Sequence, residues 1–147
     1  LGPSPGAGLF PLPLAALAGD RGQVLALEGN EQAVRDARRT LHDHPTARLA
    51  SGRVSARSVR ELAGSFTGGR PDVVVLDPPR QGAGREVIEA VGALGAERIV
   101  LVACDPAALA RDLGTLLRSG YTLGSMSALD MFPHTHHFET IAVLERS

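Results

Sequence analysis

Val100-Leu-Val-Ala-Cys104-Asp105-Pro106-Ala-Ala-Leu-Ala-Arg-Asp112 is the stretch from which the fold can be read. Val100 to Ala103 have the character of a buried strand, and they end at the only cysteine in the chain. Asp105-Pro106 then has the grammar of a helix start: an acid to cap orphan N–H groups and a proline at the first helical position. A lone thiol is thereby set where a strand stops and a helix begins. Peptide dipoles at such a junction favour a thiolate over a thiol, which makes Cys104 a candidate nucleophile. On position alone the other reading stays open, that Cys104 is a small buried hydrophobe.

Outward from this junction the same alternation repeats. On the N-terminal side, Glu86 to Leu94 has helical spacing of Val87, Ile88, Val91 and Leu94. Before it, Asp72-Val-Val-Val-Leu-Asp77-Pro78-Pro79-Arg80 reads as a strand too apolar to be half exposed. An acid and two prolines end that strand and impose an extended, non-helical exit. Gly64 to Pro71 reads as a surface loop. Ala47 to Ala63 carries the weakest pattern, with a short strand near Arg48–Leu49 or Val54 and a helical turn around Val59–Leu62. Gln23 to Glu28 is expected to be a buried strand ending in a carboxylate. Asn30 caps the following helix, whose apolar positions are Ala33, Val34, Ala37 and Leu41.

At the N-terminus, Gly6-Ala7-Gly8 followed by an Ala-rich run reads as a glycine turn opening into a helix of about ten residues. The strand that should feed this turn is missing, because Pro3 and Pro5 cannot supply a central ladder. On the C-terminal side, the helix from Pro106 is predicted to bury Leu109, Ala110, Leu113, Leu116 and Leu117, and Gly120 closes it. Tyr121–Ser127 and Phe138–Leu144 are two further strands, joined by a histidine-rich connection. Strands apolar on both faces and alternating with helices define an α/β chain with a mostly parallel sheet. The last two strands have no helix between them, so an antiparallel strand is expected near one edge. Ligands of such sheets bind outside the carboxyl ends of the strands. Glu28, Asp77 and Cys104 fall at those ends, and Glu139, near the start of an antiparallel last strand, comes to the same edge.

Composition narrows the function classes. Fifteen Lys and Arg against sixteen Asp and Glu leave a net charge of −1. A stand-alone nucleic-acid binder carries a basic excess, so any phosphate affinity must come from elsewhere. A single cysteine excludes an internal disulfide framework and fits a reducing, cytoplasmic compartment. No secretion signal and no apolar run long enough to span a membrane is present. A length of 147 residues suits one domain, and a start at Leu1 rather than Met suggests a piece of a longer protein.

Three constellations carry chemistry. Gly6-x-Gly8, with Glu28 twenty residues beyond the second glycine, suits a nucleoside cofactor. The glycines let backbone approach the ligand and the acid accepts from ribose hydroxyls. Pro11 stands where a dinucleotide fingerprint needs its third glycine, which argues for a smaller cofactor than NAD. Asp77-Pro78-Pro79-Arg80 makes a rigid lip able to hold a planar base or a methyl donor. In His134-Thr-His136-His137-Phe-Glu139, Glu139 is a candidate general base, with the histidines contacting substrate or orienting it. A metal needs three or four suitably spaced ligands, which would require recruiting Cys104 as well, so no metal site is expected.

DPPR-x-G at Asp77–Gly82, A-C-D-P-x-x-L-A-R-D at Ala103–Asp112 and D-M-F-P-H-T-x-H-x-E at Asp130–Glu139 occur in that order. Together they closely resemble the catalytic domain of RNA (uracil-5-)methyltransferases, and the resemblance runs from about Gly6 to the C-terminus. It implies a Rossmann-like class I methyltransferase fold and S-adenosylmethionine as cofactor. It also implies a uridine of transfer or ribosomal RNA as substrate. By the same resemblance Cys104 adds to C6 of uracil, Glu139 removes the C5 proton and Asp77 lines the base and methyl-donor pocket. Glu28 binds the cofactor ribose, Gly6 and Gly8 form its glycine turn, and Pro78, Arg80, His134 and His136 face substrate.

The chemistry accounts for these residue types. Uracil C5 is too weak a nucleophile to take a methyl group directly, whereas addition of a thiolate at C6 turns the ring into an enolate. A base must then remove the C5 proton so that the thiol leaves, and nucleophile and base must converge on one ring. The target base is expected to be unstacked or flipped to enter.

The chain also departs from the family pattern. Gly2 to Phe10 replaces the usual D-L-Y-x-G-x-G-x-F, losing the acid and the tyrosine, and Ser51 to Arg60 offers no acid for an adenine amine. Family members usually carry N-terminal RNA-binding segments as well. The expectation is therefore one catalytic domain over residues 1–147, a C-terminal part of a longer protein. The main alternative is a non-catalytic Rossmann-like module that binds RNA or a partner after losing cofactor affinity. A small-molecule methyltransferase ranks below both.

Overall fold

A computed structural model describes residues 11–130 and 138–147. Contacts divide the chain into two compact units, Leu1–Thr67 and Gly68–Ser147. In the first, helix α1 (Pro11–Ala18) leads through a 3₁₀ turn at Gly19–Arg21 into strand β1 (Val24–Glu28). Helix α2 (Glu31–Thr40), strand β2 (Ala47–Ser51) and helix α3 (Ala56–Ala63) follow. Strands β1 and β2 pair in parallel, from Val24 opposite Ala47 to Glu28 opposite Ser51. The expected cap of α2 is present, with the Asn30 side chain accepting from the Ala33 N–H at 3.1 Å. Val34, Ala37 and Leu41 are buried beneath it.

Two expectations for this unit are corrected. Every residue of β1 is half-buried rather than buried. The helical turn foreseen at Val59–Leu62 is an eight-residue helix. It begins at Ser55, whose hydroxyl accepts from the Ser58 N–H at 3.1 Å, while the Ser58 hydroxyl accepts from the Ser55 N–H at 2.8 Å. This is a capping box closed by a serine where the usual signature has Glu or Gln. Of the two strand positions foreseen, Arg48–Leu49 is the one used, within β2.

In the second unit, strand β3 (Val73–Leu76), helix α4 (Arg85–Ala93), strand β4 (Arg98–Ala103) and helix α5 (Pro106–Arg118) precede strands β5 (Tyr121–Asp130) and β6 (Phe138–Arg146). The strand order is β3-β4-β6-β5. β3 and β4 are parallel, and β6 runs antiparallel to both β4 and β5. This is the mostly parallel α/β arrangement with an antiparallel final strand. Ile88 and Val91 of α4, Ile99 and Leu101 of β4, Leu116 of α5 and Leu144 of β6 are almost entirely buried and form the core.

Here too burial departs from the sequence pattern. β3 is not covered on both faces: Val73 is 46% exposed and Val74 to Leu76 are half-buried. Among the described residues β4 is its one partner in that sheet. On α5, Leu109 and Leu116 are buried as expected, but Leu117 is 47% exposed and Ala110 also faces out. The buried face instead runs through Ala108, Leu109, Asp112, Thr115 and Leu116. Gly120 ends α5 as foreseen, at φ +91° with its N–H on the Leu117 carbonyl. The missing first strand, with Gly6 and Gly8, falls outside the described residues, as do His134 and His136.

Candidate active site

In the second unit, three of the sequence-predicted groups meet at one edge of the sheet. β3 and β4 run in register from Val73 opposite Arg98 to Leu76 opposite Leu101. Asp77 therefore leaves the carboxyl end of β3 beside the last residues of β4. β4 ends at Ala103, which faces Thr140 of β6. Cys104 follows Ala103 and Glu139 precedes Thr140, so both leave this last register pair at the same end of the sheet. Both are half-buried, and Cys104 is a free thiol. Asp77 is exposed.

The chain turns into α5 directly after the thiol, and the turn is built as its residues demand. The Asp105 carboxylate accepts from the Ala108 N–H at 2.8 Å, and Pro106 occupies the first helical position. The loop after β3 is equally defined. Pro78 is half-buried while Pro79 and Arg80 are exposed. The Gly82 N–H donates to the Pro79 carbonyl at 2.8 Å, closing a turn in which Gly82 has φ +88°. Next along the chain, the Ala83 N–H donates to Asp112 Oδ2 at 3.0 Å, and Arg111 Nη2 reaches the Gln81 carbonyl at 3.4 Å. Asp112 is only 6% exposed. It lies in the A-C-D-P-x-x-L-A-R-D motif, but the sequence reading gave it no role. The available signal was a charged residue on the apolar stripe of α5, between Leu109 and Leu116.

In the first unit, Glu28 ends β1 opposite Ser51. Its Oε1 accepts the Asn30 N–H at 2.7 Å and its carbonyl accepts the Gly52 N–H at 3.0 Å. The acid is thus held at the carboxyl edge of its own strand pair. A carboxylate has acceptor capacity beyond one N–H, so Glu28 fits a ligand that offers hydroxyl donors. Among the described residues, no group of three His, Cys, Asp or Glu side chains is placed to hold a metal ion, and no helix is long and apolar enough to cross a membrane.

The fold is that of a Rossmann-like class I methyltransferase. Sp1610 of Streptococcus pneumoniae, solved with S-adenosyl-L-methionine, shares the fold at a TM-score of 0.66 and 18% identity, over 96% of this chain and 64% of that one. The Pyrococcus abyssi tRNA (uracil-54, C5)-methyltransferase, solved with S-adenosyl-L-homocysteine, superposes at a TM-score of 0.73 and 33% identity, over 95% of this chain and 31% of that one. A sequence model of the tRNA (Uracil-5-)-methyltransferase family matches residues 5–147, and the chain belongs to that family. An uncharacterized RNA methyltransferase of Streptomyces avermitilis is 47% identical over 140 residues. The 23S rRNA (uracil(1939)-C(5))-methyltransferase RlmD of Acinetobacter baumannii is 39% identical over 142 residues. These alignments take in 95% and 96% of this chain but only 31% and 30% of the relatives, so the chain spans about three tenths of their length.

Proposed function

We propose that this chain carries the catalytic chemistry of an RNA uracil-5-methyltransferase, in which Cys104 is the nucleophile and Glu139 the base. The observation that supports the reading is the register between β4 and β6, whose last pair, Ala103 opposite Thr140, is continued by Cys104 on one chain and Glu139 on the other, with Asp77 following the neighbouring strand β3. Family membership supports the same reading.

S-adenosylmethionine, when bound, supplies an electrophilic methyl group. In the first unit Glu28 would accept from its ribose hydroxyls and Gly6 and Gly8 would supply the glycine motif, and in the second unit Asp77 would line the pocket of the base. The residues of this chain do the rest. The Cys104 thiolate forms a bond to C6 of the uracil, and the C5=C6 electrons move into an enolate that makes C5 nucleophilic. Once C5 carries the methyl group, the Glu139 carboxylate takes the C5 proton. The released electron pair restores C5=C6, the S–C6 bond breaks and the thiolate leaves. Pro78 and Arg80, with His134 and His136, would contact the flipped base and its backbone. At a net charge of −1 this chain offers no basic excess for the RNA phosphates.

The test uses the complete natural protein, S-adenosylmethionine and RNA containing 5-fluorouridine. Fluorine at C5 cannot leave as a proton, so a denaturation-resistant protein–RNA adduct should accumulate, and mass spectrometry should place it on the Cys104 peptide. Glu139→Gln should trap the adduct on ordinary RNA. Normal methyl transfer by Cys104→Ala would overturn the mechanism. Undetectable binding of S-adenosylhomocysteine by the folded protein in calorimetry would favour the non-catalytic module instead.

A further inference from the structure

We propose that Asp112 is a positioning residue for this reaction: its buried carboxylate ties the Asp77–Gly84 loop to the helix that follows the nucleophile. The proposal rests on the functional reading above for its catalytic consequence and on hydrogen bonding alone for the tie. A buried carboxylate is costly unless hydrogen bonds compensate it, so a neutral side chain would pack here at lower cost if packing were the only requirement. Asp112 is 6% exposed, and its Oδ2 accepts the Ala83 N–H at 3.0 Å, a charge-assisted bond.

The loop is shaped to deliver that N–H. Gly82 sits at φ +88°, and a Cβ there would lie 3.0 Å from Asp112 Oδ2 and 3.3 Å from the Ala108 Cβ. Only glycine combines this backbone conformation with so close an approach. Arg111, the preceding residue on α5, reaches the Gln81 carbonyl at 3.4 Å and adds a weaker, exposed contact to the same turn.

The consequence for the site follows from where each end of the tie is anchored. α5 begins immediately after Cys104 and is fixed there by Asp105 and Pro106. Asp112 stands seven residues past Asp105, about 10 Å along a rigid helix. The loop leaves β3 at Asp77 and is fastened again at Ala83. The Asp77-Pro78-Pro79-Arg80 lip thus runs from the strand beside the nucleophile's strand to a fastening on the nucleophile's helix. Removing the Asp112 carboxylate breaks the Ala83 fastening and leaves Arg111 on the Gln81 carbonyl as the weaker tie to α5.

Asp112→Ala, Asp112→Asn and Gly82→Ala are compared with the unsubstituted protein at full natural length. Hydrogen exchange should accelerate at least about tenfold in the 77–84 loop of Asp112→Ala and Gly82→Ala, with β4, β6 and α5 unchanged. In single-turnover methyl transfer the same two variants should lose on the order of 10- to 100-fold in rate, since small misplacements near a reacting centre have effects of that size. KM for RNA should stay within about threefold. Asp112→Asn keeps an oxygen for Ala83 and should recover most of the rate. Unchanged loop exchange in Asp112→Ala, or a loosened loop with an unchanged transfer rate, overturns the proposal. So does a rate loss that merely follows the fraction unfolded. If the unsubstituted protein forms no adduct with fluorinated RNA, the functional reading fails, while the exchange result still decides whether Asp112 holds the loop.

Discussion

The two compact units use the same strand-then-acid design and reach different degrees of closure. In the second, β4 is flanked by β3 and β6, and its residues Ile99 and Leu101 are fully buried. Of the functional positions there, Glu139 is paired with Leu129, while Asp77 and Cys104 each follow directly on a paired residue. In the first, β1 has one described partner, every residue of β1 is half-buried, and Glu28 is held by contacts to Asn30 and Gly52. The difference suits a division of labour. On the proposed reading, a nucleophile and a base must converge on one ring to within fractions of an ångström, whereas a ribose-binding acid would have only to keep an oxygen within reach of a hydroxyl.

The largest effects should divide along this line. Cys104→Ala should abolish methyl transfer, and Glu139→Gln should reduce it by about 10²–10⁴-fold, the usual size of a general-base contribution. Both should bind S-adenosylhomocysteine as the unsubstituted protein does. Glu28→Gln should behave in the opposite way, weakening S-adenosylhomocysteine in calorimetry by about tenfold, as expected when a charged hydrogen-bond acceptor is neutralised. Its adduct with fluorinated RNA should still form at saturating cofactor. If Glu28→Gln instead stopped adduct formation at saturation, the two regions would not be separable in function.

A smaller contrast concerns stability. Leu144 is completely buried, and Leu144→Ala should cost about 2–5 kcal/mol, the range for large-to-small changes in closed cores. Leu25, half-buried on β1, gives up less apolar contact, and Leu25→Ala should cost about 1–2 kcal/mol. Denaturant titration of both variants measures the gap. Equal losses would show that the first unit is packed as tightly as the second.

How much of this was legible in the sequence depended on whether a feature is local. The caps of α2 and α5 were readable because Asn30 and Asp105 act on N–H groups three residues away. The inward faces of α2 and α4 were readable because Val34, Ala37, Val87, Ile88 and Val91 repeat at helical spacing. The site edge was legible as a topology, since Asp77, Cys104 and Glu139 all fall where strands end or begin, and β4 and β6 do run antiparallel there. Burial was less legible because it depends on neighbours. Val73 and Leu117 are as apolar as Ile99 and Leu116, yet only the latter pair is covered. Asp112 stands out locally only as a charge on the apolar stripe of α5; its partner Ala83 is 29 residues away, so the stripe does not say what the carboxylate binds.

The smallest expected effect gives the most selective probe of the comparison. Tyr121 is the only tyrosine in the chain and there is no tryptophan, so tyrosine absorbance reports on the second unit alone. Its ring is 3% exposed and its hydroxyl donates to the Ala96 carbonyl at 2.9 Å. Burial raises its pKa above the ordinary 10.0, with Arg146 and Arg70 drawing it partly back. A proton bound more tightly in the folded state contributes stability that is complete below the unfolded value and is lost as pH rises through the folded one. Unfolding midpoints should therefore be insensitive to this group up to about pH 10 and fall above it, in step with the appearance of tyrosinate absorbance. Tyr121→Phe strands the Ala96 carbonyl and should cost about 0.5–1.5 kcal/mol at neutral pH, while flattening the alkaline decline. A decline of the same steepness in Tyr121→Phe would assign the alkaline loss to other groups. Tyrosinate appearing near its ordinary pH, before any unfolding, would mean that the second unit opens around Tyr121 and is less closed than the first comparison holds.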